Sequence, residues 1–198
     1  MSKSKFTTLD LTLGAMFVAL MAIGANITSY APFLQIWNVP LTLQTFVAIL
    51  AGIVLGSRMG AISLCVYLLV GLAGAPVFAR FGAGFDTLVT PTFGFILSYI
   101  LLAYVVGKIV EHKRSLPIYI FATVVGLIIN YVVGVNWLYG AYVFWVGLPD
   151  GYSYTVAWMG MAPFLVKDLA LAIVAAFFGY RLERSVLQNS QFRRQKSA

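Results

Sequence analysis

The chain has 198 residues, of which 61% are hydrophobic and 10% charged, with a net charge of +7 and a single cysteine. A chain of this size and apolarity leaves no room for a soluble catalytic domain, and a lone cysteine excludes an intrachain disulfide or a thiolate metal site. The basic residues form no aromatic-lined face, which argues against nucleic acid as a partner.

What the charges avoid is more informative than what they sum to. Asp, Glu, Lys and Arg are absent from residues 11–57, 59–79, 87–107 and 115–149. A hydrocarbon core about 30 Å thick takes roughly 20 apolar residues per helix. The expectation is an all-α polytopic membrane protein: a bundle of six transmembrane helices in one domain, 1–198, with a basic tail over about 184–198.

In chain order, Lys3 and Lys5 precede an apolar stretch that imitates a secretory leader, but the rest of the chain is as apolar, so a retained first helix is expected over Leu9–Thr28. The segment Ser29–Pro40, with Pro32, Trp37, Asn38 and Pro40, reads as an interfacial loop. A short second helix is expected over Leu41–Leu55, then a tight turn at Gly56-Ser57-Arg58 and a third helix over Met59–Leu72. Residues 73–90 form an outer loop rich in small residues. The fourth helix is expected over Pro91–Val110, with proline suited to a first turn, the fifth over Leu116–Val135 and the sixth over Ala157–Leu182. Trp137, Tyr139, Tyr142, Trp145, Tyr152, Tyr154 and Trp158 cluster between the last two as an aromatic belt. Cys65 sits in an apolar run and reads as a small buried hydrophobe.

With the N-terminus inside, the cytoplasmic flanks carry Lys3, Lys5, Arg58, Lys108, Lys113, Arg114, Arg181, Arg184, Arg193, Arg194 and Lys196, which is 11 of the 13 basic side chains. That asymmetry satisfies the positive-inside rule and places both termini in the cytoplasm of a multi-pass plasma-membrane protein. Arg80 falls outside and Lys167 within a span.

Lys167-Asp168 stands out because apolar sequence flanks it on both sides. At about ten residues into the sixth helix, it lies roughly 15 Å below the outer surface. Charges at that depth cost at least a few kcal/mol unless paired or wet, and they mark substrate pathways. Neighbouring residues project about 100° apart on a helix, so a good mutual salt bridge is awkward. Locking the bundle is the plainer role for such a pair. In the outer loop, the run from Gly71 to Asp86 holds Gly74, Gly82 and Gly84, which let backbone approach a ligand closely. So apolar a loop reads as a lid, with Phe78, Arg80 and Asp86 as contacts; as solvated loop charges, Arg80 and Asp86 need no further role. Gln44 and Asn130 are further polar candidates within spans, or else interhelical hydrogen bonds. Ala15 and Ala19, with Ala22 extending the face, form a small-residue stripe that permits close helix approach. His112 lies in a basic loop.

The stretch from Gly71 to Phe95 resembles the signature of the BioY family, the biotin-specific S components of energy-coupling-factor (ECF) transporters. The matching residues are Gly71-Leu72, Gly74, Pro76-Val77-Phe78-Ala79, Gly82, Gly84, Pro91-Thr92 and Gly94. Lys167-Asp168, the first-helix alanines and the length agree; Arg80 and Phe93 stand where glycines are expected.

The resemblance implies a subunit that captures biotin at the outer face. It implies docking through Ala15, Ala19 and Ala22 on a transmembrane coupling protein that works with two ATP-binding cassette ATPases. Biotin would be cargo, and the chain would carry no cofactor or metal of its own. It has no phosphate-loop lysine motif, so ATP would be used by the partners. Lys167, Asp168, Arg80, Gly74, Phe78, Asp86, Asn130, Gln44 and Trp37 are the residues expected to bind the ligand. The alternatives are an S component for another vitamin, such as thiamin or riboflavin, and a solitary secondary transporter. An intramembrane aspartyl protease needs two carboxylates in the membrane, and only Asp168 qualifies.

Overall fold

The computed structural model describes residues 7–30, 35–36 and 39–187. Among these residues the architecture is a bundle of six α-helices: α1 (Thr8–Asn26), α2 (Gln44–Leu55), α3 (Ser57–Leu72), α4 (Phe93–His112), α5 (Leu116–Ala141) and α6 (Tyr154–Leu182). Four of them, α1, α4, α5 and α6, are long and apolar enough to cross a membrane. The other two are apolar but short, about 18 Å for α2 and about 24 Å for α3 at 1.5 Å per residue. A two-stranded hairpin, β1 (Gln35–Ile36) and β2 (Val39–Pro40), pairs Gln35 with Pro40 between α1 and α2.

Local chemistry sets the helix ends. Thr7 and Asp10 form a reciprocal capping box at the start of α1, satisfying two orphan donors of its first turn. The helix α2 begins three residues later than Leu41, because Thr42 and Leu43 donate their N–H groups to Pro40 and Gly24 carbonyls. The expected turn at Gly56-Ser57-Arg58 shrinks to one residue, Gly56, at φ +83°. Helix α3 then starts at once, because Glu111 of α4 accepts from Ser57 N at 2.7 Å. At the other boundary, α5 runs well past Val135 and continues as a π turn to Val146. Gly140 stays helical within it, and the run ends only at Gly147, at φ +96°. Trp137 and Tyr139, expected in a loop, therefore stand on a helix. The last helix is likewise extended by a π turn, Glu183–Leu187.

The helix α4 packs on α2, α3 and α5, and α2 also touches α1 and α6. Backbone approaches backbone closely at two crossings. A Cβ on Gly52 would lie 2.5 Å from Ala103 O, and one on Gly107 would lie 2.4 Å from Ser57 N. Small residues at membrane helix crossings allow such contact, and dispersion there replaces a hydrophobic drive that lipid does not supply. Arg58, Lys108, Lys113, Arg114, Arg181 and Arg184 all fall at one end of the bundle. The hairpin and the connection between α3 and α4 fall at the other.

That connection, 73–92, includes 3-10 turns over Ala79–Phe81 and Phe85–Val89. Every neighbouring element ties it down. Gly84 N donates to Gly71 O at 2.8 Å. Asn26 of α1 accepts from Phe81 N at 2.7 Å and donates to Val77 O at 3.3 Å. Tyr67 of α3 donates to Val77 O at 2.9 Å, and Trp137 of α5 donates to Thr90 O at 3.2 Å. Arg80 reaches Gln35 Oε1 of the hairpin at 2.9 Å.

Candidate functional site

Beneath the hairpin and the 73–92 connection lies an open-mouthed cavity of about 660 Å³, mouth included. Four helices wall it. Phe95, Ile96 and Tyr99 come from α4, Tyr131 from α5, and Met161, Phe164, Lys167 and Asp168 from α6; Gln44 comes from α2, preceded by Thr42. Val39 and Pro40 of the hairpin, with Ala79 and Thr92 of the connection, complete it.

Its polar centre is Asp168, 5% exposed. Asp168 Oδ1 lies 2.8 Å from Lys167 Nζ, and Oδ2 accepts from Tyr131 Oη at 2.8 Å. The Lys167 ammonium also donates to Thr42 O at 2.8 Å. The mutual salt bridge that adjacency on a helix disfavours is therefore present. The four-carbon lysine stem is long enough to curl back over the 100° between the two positions. Thr42 O is available because α2 has not yet begun there, which leaves that carbonyl outside any helical ladder. With α6 starting at Tyr154, Lys167 lies about 20 Å along the helix. Two opposite charges that each also find hydrogen-bonding partners are the form in which buried charge is tolerated.

The cavity gathers Lys167, Asp168 and Gln44 among the residues expected from the sequence. Asn130 is buried behind the wall, with its Oδ1 2.6 Å from Ser98 Oγ. The Phe78 ring is 2% exposed, packed edge-on to Tyr67 and over Gly71 and not against the cavity. Gly74 takes φ +105° in open space, and Asp86 is exposed on a 3-10 turn; neither lines the cavity. Arg80 sits on the roof, held to the hairpin, next to the lining residue Ala79. Trp37 lies outside the described residues. Ala15 and Ala19 are exposed on α1, and Ala22 is half-buried at the edge of an outer groove beside Pro76 and Phe81.

Three lining residues carry polar atoms that the sequence reading passed over. They are Tyr131, whose hydroxyl donates to Asp168, Tyr99, and Thr42 itself. A signal was present for the tyrosines. Tyr99 and Tyr131 lie well inside their spans, whereas belt tyrosines sit at the membrane surface. A buried tyrosine hydroxyl needs a partner, so depth alone points to a polar site.

The arrangement can hold a small molecule with a compact polar head and an apolar body. The head would meet a carboxylate, an ammonium, an amide and phenols; Phe95, Ile96, Met161 and Phe164 would flank the body. Because Lys167 and Asp168 cancel, the site carries no net charge.

A relative from Bacillus subtilis named BioYB is 43% identical over 98% of this chain and 97% of its own length. The biotin transporter BioY of Thermotoga maritima is 35% identical over 88% of this chain and 96% of its own. Among solved structures, the S-component for biotin from an ECF-type ABC transporter superposes with a TM-score of 0.66 over 91% of this chain and 96% of that one, at 21% identity, so the fold is shared. With the BioY family model matching residues 1–188, from before α1 to beyond the end of α6, the chain belongs to the BioY family.

Proposed function

We propose that the chain is the biotin-binding S component of an ECF-type importer. The observation that carries this reading is the buried Asp168, held between Lys167 and Tyr131 at the polar end of an apolar cavity. Biotin has a matching division: a ureido ring with two N–H donors and one carbonyl, fused to an apolar ring and a hydrocarbon tail. Asp168 accepts from a ureido N–H, Lys167 donates to an oxygen, and the aromatic walls take the rings. Arg80 on the roof is placed to meet the tail carboxylate as it points outward.

The same reading makes the chain a membrane subunit without catalytic activity. Its basic end faces the cytoplasm and its cavity opens outward, which the distribution of Lys and Arg supports. All six helices span, α2 and α3 as a tight hairpin, and the 73–92 connection acts as the lid. The chain docks through Ala15, Ala19 and Ala22 on a transmembrane coupling protein that acts with two ATPases, so ATP is consumed outside this subunit. The test is to purify the protein without added vitamin and identify any co-purified small molecule by mass spectrometry. Titrations with biotin, thiamin and riboflavin follow. Biotin bound selectively supports the proposal, and preference for either other vitamin refutes it.

A further inference from the structure

Two backbone groups of fixed hydrogen-bonding character decide how the side chains between the cavity and the lid carry their protons. Phe81 N can only donate, and it faces Asn26 Oδ1 at 2.7 Å. The Asn26 amide is thereby oriented, with Nδ2 toward the carbonyls of Ala22 at 3.0 Å and Val77 at 3.3 Å. Val77 O can only accept, and Tyr67 Oη lies 2.9 Å from it, so the single phenolic proton sits between them. Tyr67 has only lone pairs left to offer. Gln44 Nε2 occupies that side at 3.1 Å.

This chain of directions ends inside the cavity. Gln44 lines it and is 4% exposed. With one N–H committed to Tyr67 and the amide oriented by it, the carbonyl Oε1 is the acceptor Gln44 has for a ligand. We propose that Tyr67 is a positioning residue that holds Gln44 as an acceptor for one ligand N–H, and does so only while Val77 is seated on it. When the lid lifts and Val77 O departs, the phenolic proton is free to turn to Gln44 Oε1. The amide then rotates and presents its NH2 to the cavity. The closed site therefore offers acceptors to both ureido N–H groups, Asp168 to one and Gln44 to the other, and the open site does not. The proposal rests on biotin as the ligand.

The test uses Tyr67→Phe, which keeps the ring and its edge-on contact with Phe78 at 5.6 Å between centroids. Wild type and variant are titrated with biotin and with its two mono-N-methyl derivatives, one for each ureido nitrogen. The variant should bind biotin about tenfold more weakly, the size of one lost hydrogen bond. It should weaken one methyl derivative about as much. The other derivative, which already lacks the N–H that Gln44 reads, should change less than about twofold by the same reasoning. Gln44→Met, which removes the acceptor and leaves Tyr67 intact, should spare the same derivative. Equal weakening of all three ligands by Tyr67→Phe, or no weakening, overturns the proposal, as does a different spared derivative in Gln44→Met. Wild type that binds none of the three instead refutes the biotin reading, and this proposal with it.

Discussion

Replacing Asp168 with asparagine keeps shape and volume and changes only charge and hydrogen-bonding character. The amide oxygen can still accept from Tyr131, as Oδ2 now does at 2.8 Å. The amide nitrogen must then face Lys167 Nζ, now 2.8 Å from Oδ1, and two donors repel at that distance. Turning the amide over exchanges that clash for one with the Tyr131 hydroxyl. The ammonium keeps only Thr42 O. A ligand N–H thus loses a charged acceptor in a buried site, at a cost of about 1.5–3 kcal/mol. At 1.4 kcal/mol per decade this weakens binding about 10- to 150-fold. The assay is isothermal titration of biotin into detergent-solubilised protein, with Lys113→Ala as the control. Lys113 is exposed at the far end of the bundle, and its loss should leave affinity unchanged. Equal affinities for the two variants would remove Asp168 from the site.

Other expectations follow from separate parts of the fold. Ala15→Trp combined with Ala19→Trp should leave biotin binding by the isolated subunit near normal, since both positions are exposed on α1. ATP-driven uptake should fall sharply; loss of binding together with uptake would mean that these alanines pack within the bundle. Asn26→Ala removes the acceptor of Phe81 N and a donor to Val77 O, so bound biotin should dissociate several-fold faster in a chase experiment. An unchanged off-rate would show that these bonds do not hold the lid. Gly107→Ala puts a methyl 2.4 Å from Ser57 N and 2.6 Å from Ser57 Cα. Both are backbone atoms, so α4 must move away, and the thermal midpoint should drop by the equivalent of about 1–3 kcal/mol. An unaltered midpoint would contradict the tight crossing.

Sequence patterns carried different parts of this structure unequally. The charge-free runs located the helices, because lipid penalises a stray charge whatever the tertiary contacts are. Lys167 and Asp168 stood out for the same reason. Their mutual bridge did not, since it depends on a lysine stem folding back and on Thr42 O lying just outside α2. The length of α5 was misjudged at Val135 because tryptophans and tyrosines at a membrane surface suit a helix and a loop equally well. Gly140 and Gly147 both follow Val135, and only the structure shows that the second, at φ +96°, is the one that stops the helix. Phe78 sits in the stretch that marks the family, yet its ring supports the connection from behind. Sequence similarity registers that a residue matters without saying which side of the wall it occupies. The Tyr67–Val77 contact joins residues from a helix and a loop through a backbone carbonyl, and backbone partners leave no trace in residue type.

The neutrality of the cavity has an electrical consequence. Moving one elementary charge through a membrane potential of 100 mV involves about 2.3 kcal/mol. Lys167 and Asp168 contribute opposite charges 2.8 Å apart at nearly one depth, so their work in the field cancels. Voltage then acts on whatever charge the cargo brings, and the Lys167–Asp168 pair gives it nothing to pull on.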